Sequence, residues 1–127
     1  MKVDAKDILK WTKTLRSGKY KQTQGRLQTS KGYCCLGVAC DLFVKNKNLE
    51  PYKGTLVGGS PYDQDAPQWL KYIDEDFYNA FEFAGGVLLD SKEPQTCSLI
   101  SLNDSYGYTF DEIADLLELV YVHKALG

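Results

Sequence analysis

Residues 33–44 read YCCLGVACDLFV, an almost unbroken apolar run that follows the turn signal Ser30-Lys31-Gly32. A run of about twelve residues is long for a strand and suits a helix buried on most sides. Cys35, Val38 and Leu42 fall on one face of it, and Leu36, Cys40 and Phe43 on another. The pattern predicts a helix over 34–45 at the centre of the fold, ended by Asn46-Lys47-Asn48. Gly37 costs roughly 1 kcal/mol against Ala in a helix interior, so its presence predicts close approach by another backbone segment.

Two more helices flank this one. Asp4 is a suitable N-cap, Asp7 favours the positive helix end, and Ile8, Trp11 and Leu15 make one apolar stripe. With Gly18 as the stop, this predicts a helix over 5–17. Near the other end, Thr109 and Glu112 form a capping box. Phe110, Ile113, Leu117 and Val120 supply an inward stripe, predicting a helix over 110–124.

The connecting segments are less regular. Residues 19–29 read as a short hairpin or extended arm broken at Gly25. Residues 49–65 read as loop with one short strand near Thr55–Val57. Pro67 opens a short helix carrying Trp69, Leu70 and Ile73, which the DFYNAFEF segment extends towards Gly85. Val87–Leu89 and Ser98–Leu102 read as short strands. The expected fold is α+β: three main helices on a small antiparallel sheet, in one domain over residues 1–127.

Composition narrows the functional classes. Hydrophobic content of 43% and charged content of 25% are those of an ordinary globular chain. No stretch approaches the roughly 20 apolar residues that span a bilayer, and MKVDAKDILKW lacks the apolar segment of a signal peptide. Four cysteines are then expected to be free thiols, the expected compartment is cytoplasmic, and no membrane partner is expected.

The net charge of −2 conceals a split. Residues 1–31 hold nine Lys/Arg against two Asp, giving +7. Residues 32–127 hold six against fifteen Asp/Glu, giving −9. Such segregation suits an anionic partner for the basic part and self-association into a homodimer, although an unevenly charged solvated surface is the commoner outcome.

Motifs for catalysis are missing. Cys34, Cys35, Cys40 and Cys97 do not have paired zinc-ligand spacing and read as small core residues, so no metal is expected. His123, the one histidine, sits at a helix end where a cation complements the dipole. No phosphate loop, dinucleotide fingerprint or nucleophile elbow is present, so no cofactor and no catalytic residue is assigned.

Two segments do suit binding. Arg16, Lys19, Tyr20, Gln22 and Arg26 gather guanidinium groups, an amide and an aromatic ring around a Gly-flanked turn, a mixture fit for phosphates and flat bases. Asn103, Asp104 and Tyr106 precede a capped helix start, where polar edges can be read. The plain alternatives are an exposed helix end for the first segment and a self-bonded turn for the second.

The order of several blocks adds to this reading. Trp11-x₃-Leu15-Arg16-Ser17-Gly18-Lys19-Tyr20-x-Gln22, Gly25-x-Leu27, and Gly32-Tyr33-Cys34-Cys35-Leu36-Gly37-Val38-x-Cys40-Asp41-Leu42 are followed by Leu102-Asn103-Asp104 and Phe110-x₂-Ile113-Ala114-Asp115-x₂-Glu118. Together they resemble a recurrent family of small phage-encoded accessory proteins. That resemblance implies a phage or prophage origin and no particular mechanism.

Small phage proteins of other families sequester messengers of host immunity. By that analogy, the leading expectation is non-catalytic capture of a small, anionic, nucleotide-like ligand. The alternative expectation is an inhibitor or adaptor that meets a host protein through the acidic carboxyl-terminal part, including Asp74-Glu75-Asp76, Asp111, Glu112, Asp115 and Glu118. A carboxylate-dependent hydrolase ranks third, for want of a motif.

Overall fold

A computed structural model describes residues 3–83 and 98–123. Among the described residues five helices and one hairpin run in the order α1 (Ala5–Arg16), β1 (Gln28–Thr29), β2 (Gly32–Tyr33), α2 (Cys35–Lys47), α3 (Gln68–Phe83), α4 (Leu99–Asp104) and α5 (Phe110–Glu118). A single π-helical turn, Leu119–His123, continues α5. The class is α+β, but the helices pack chiefly on one another. α1 lies along α5 and touches α2, while α4 fits among α2, α3 and α5. The antiparallel sheet is the β1–β2 pair, with Gln28 opposite Tyr33 and Thr29 opposite Gly32.

The helix starts follow their side chains. Asp4 and Asp7 exchange bonds in a capping box before α1, and Thr109 and Glu112 do so before α5. α2 has a less usual cap: the Cys34 thiol accepts from Gly37 N at 3.4 Å. Asn48 closes α2 in the left-handed region, which Asn tolerates better than most residues.

One apolar cluster unites the elements. Trp11 is fully buried, donates its indole N–H to Cys35 O at 3.1 Å, and meets Phe43 edge-on. Phe43 in turn meets Trp69, and Phe77 stacks on Phe81 along α3. The predicted stripe residues Leu15, Cys35, Val38, Ile113, Leu117 and Val120 are buried, whereas Leu42 is half-buried.

Some expectations need correction. Ser98–Leu102 is not a strand: Ser98 caps α4 by accepting from Ser101 N. Five residues carry too little periodicity to separate the two states, and the cap tips the balance. Around Val57 there is one parallel bridge to Gln28 and no longer strand. The α-helix after Thr109 ends at Glu118, and a π turn continues it to His123. The predicted strand Val87–Leu89, the expected stop at Gly85 and Cys97 lie outside the described residues, as does the His123 side chain.

Candidate functional site

The arm between α1 and α2 begins at Gly18, whose φ of 77° makes the turn after Ser17. Thr23 N donates to Tyr33 O and Tyr33 N to Lys21 O, both at 2.8 Å, so the segment 21–23 runs beside β2. These bonds bring Lys21 close to the Lys31–Gly32 turn. Lys19, Lys21, Arg26 and Lys31 are all exposed. Lys19 Nζ sits 5.8 Å above the Tyr20 ring, and Arg26 donates to Gly25 O.

Arg16, Tyr20, Gln22, Asn103 and Asp104, all singled out for a ligand, are engaged by the protein itself. The guanidinium of Arg16 bonds Asp115 and Glu118 on α5. Partial burial works against its charge, yet the two carboxylates outweigh this and raise its pKa. The Tyr20 hydroxyl donates to Asp41; burial first, and then that carboxylate, push its pKa up.

Gln22, half-buried, and Asn103, fully buried, form a joint. Gln22 Nε2 donates to Asn103 Oδ1 and Tyr108 O, both at 2.8 Å, while Gln22 Oε1 accepts from Phe110 N at 2.9 Å. Asn103 Oδ1 also accepts from Cys35 N at 3.3 Å. Asn103 Nδ2 donates to Thr23 O at 2.9 Å and to Asp104 Oδ1 at 2.8 Å. The joint thus ties the arm to the start of α2, the end of α4 and the start of α5. Asp104 is half-buried beside it, and Tyr106 is exposed.

The structure therefore joins Gln22, Asn103 and Asp104 in one network, and leaves Lys19 and Arg26 exposed. Sequence reasoning missed the tie of Arg16 to Asp115 and Glu118. Its signal was present: two acids spaced i, i+3 share one helix face, opposite a basic helix.

The described thiols are held in their protonated form. Cys34, Cys35 and Cys40 are free and buried. Burial pushes Cys34 up to about 12 and Cys40 up to about 11, and drives Cys35 well upward too. Among the described residues, no group of three His, Cys, Asp or Glu side chains is placed to hold a metal ion, and no helix is long and apolar enough to cross a membrane.

Several clefts indent the described surface, among them three with charged linings. One of about 520 Å³ lies where α1 meets the end of α5, between Leu9, Thr12, Lys13, Arg16, Ser17 and Glu118. A second, of about 160 Å³, opens beside Cys40, Asp41 and Tyr52. The third, of about 300 Å³, is lined by Tyr62, Asp74, Glu75, Tyr78, Asn79 and Ser98. Sequence reasoning did not foresee this third cleft, because its tyrosines and carboxylates come from a loop, a helix face and a cap.

A family model described as a domain of unknown function (DUF8296) matches residues 1–121, and the chain belongs to that family. No curated protein and no solved structure matches it.

Proposed function

We propose that this member of the family is a non-catalytic binding protein that captures a small, phosphate-bearing, nucleotide-like ligand on the cationic surface of its amino-terminal third. The observation that carries the reading is uncompensated charge. Every lysine described between residues 6 and 31 is exposed, as is Arg26, and none of them has a carboxylate partner among the described residues. The one acid in the same stretch, Asp7, is taken by Lys47 of α2 at 2.8 Å.

The arm concentrates this charge. Lys19, Lys21, Arg26 and Lys31 stand on one short, backbone-bonded segment, where a phosphate can receive charge-assisted bonds of about 1.5–3 kcal/mol each. Arg16 fits less well, since a ligand must first displace Asp115 and Glu118. Gln22 and Asn103 serve the ligand indirectly, by fixing the arm. A homodimer would supply the walls that an open arm lacks. Joined to the resemblance with phage accessory proteins, the reading makes a messenger of host immunity the ligand class to test, in the cytoplasm of the infected cell.

The host-protein reading draws less support, because Glu112 caps α5 while Asp115 and Glu118 hold Arg16. Calorimetric titration with ADP-ribose and with a cyclic dinucleotide separates the two. The wild type is expected to bind at least one of these probes. A Lys21→Ala/Arg26→Ala/Lys31→Ala variant should bind it about tenfold or more weakly, a loss of roughly 1.4 kcal/mol. If neither probe binds, or the variant binds as tightly as the wild type, the proposal falls.

A further inference from the structure

On the acidic side of the molecule lies the Tyr62–Asp74 cleft, and nothing in the anion-binding reading uses it. Asp74 points from α3 and is fully buried. One of its oxygens accepts from the Tyr62 hydroxyl and the other from Ile100 N at 3.1 Å, and the Leu99 backbone N–H also favours the carboxylate. Burial raises the carboxyl pKa in spite of these bonds, as expected where charge is removed from water without a cation beside it. Neither Asp74 nor the exposed Glu75 has a cationic partner among the described residues.

The other walls suit a particular occupant. Tyr62 and Tyr78 keep 50% and 39% of their surface exposed and line the cleft with Asn79 and Ser98. Tyrosine faces carry negative quadrupole charge and attract ammonium groups, most strongly where water is displaced. The two carboxylates repel phosphates and carboxylates. A volume of about 300 Å³ sits at the small end of ligand sites, enough for an amine head with a short alkyl chain.

We infer that the Tyr62–Asp74–Tyr78 cleft binds an alkylammonium group, with Asp74 and Glu75 neutralising the nitrogen and the tyrosine rings covering its methylenes. The source of the group is either a free amine or the side chain of a lysine.

Calorimetry on the full chain tests this with three probes: butylammonium chloride, spermidine, and an acetyl-lysine-amide whose side-chain amine is free. Saturable 1:1 binding of at least one is expected, with Tyr78→Ala and Glu75→Gln each weakening it about fivefold or more. Glu75 is exposed, so the melting temperature of Glu75→Gln should hold, whereas Asp74→Asn also disturbs the start of α4. Binding confined to the first two probes assigns a free amine, and binding confined to the third assigns a lysine side chain. Absence of saturable binding to all three overturns the inference. So does unchanged binding in both variants. Neither outcome bears on the cationic arm, whose residues are untouched.

Discussion

Gly37→Ala should destabilise the protein by about 3 kcal/mol or more, and lower its melting temperature by roughly 10 °C. The sign is the informative part. In an unobstructed helix interior the same change stabilises by roughly 1 kcal/mol, because Ala is the better helix former. Here an added Cβ would stand 2.8 Å from the carbonyl carbon of Leu27 and closer still to its oxygen. Those are backbone atoms, and the Leu27 carbonyl is held by a bond from Cys34 N at 3.0 Å. Neither partner can swing aside as a side-chain tip would. The arm and α2 must separate, with Leu27, fully buried, moving out of its site. Urea denaturation of wild type and variant measures the difference. A neutral or stabilising Gly37→Ala would mean that the arm does not lie on α2.

Asn103→Ala should cost a similar amount, about 3 kcal/mol or more. The side chain is fully buried and joins four partners. Its removal leaves Cys35 N, at the first turn of α2, and Thr23 O without their side-chain partner, each a desolvation cost of about 1–3 kcal/mol. Gln22 Nε2 retains Tyr108 O, so the losses do not simply add. Asn103→Asp should be nearly as damaging, since a carboxylate cannot donate to Thr23 O. Thermal unfolding of both variants checks this, and a shift under about 3 °C for either would remove the joint from the account.

The sequence made local devices legible and left the long-range ties hidden. Asp4 with Asp7, and Thr109 with Glu112, announce helix starts because capping acts over three residues. The Ile8–Trp11–Leu15 stripe and the glycine at 37 were equally plain, the latter even to the expectation of a close backbone neighbour. Ser98–Leu102 was misread because a short apolar run fits either state.

The candidate site was harder for a different reason. Gln22 and Asn103 are 81 positions apart, and an amide suited to a ligand is equally suited to a buried backbone bond. Only the fold decides which partner it meets. Lys19 and Arg26 pose no such choice, since exposed cations on a turn remain available whatever lies beneath them. The Tyr62–Asp74 pair was invisible because its two residues stand twelve positions apart, one in a loop and one on a buried helix face.

The central claim is a division of labour: Gln22 and Asn103 hold the arm, Arg16 ties α1 to α5, and Lys21, Arg26 and Lys31 hold the ligand. The melting shift produced by a saturating nucleotide tests it most directly, read in the wild type, in Arg16→Ala and in the Lys21→Ala/Arg26→Ala/Lys31→Ala variant. A ligand at about 100 times its Kd stabilises the folded state by about 2.7 kcal/mol. The account predicts that gain in the wild type and in Arg16→Ala, and a gain smaller by about 1.4 kcal/mol or more in the arm variant at the same ligand concentration, with the three ligand-free melting temperatures within a few degrees. A full gain in the arm variant, together with none in Arg16→Ala, would contradict it.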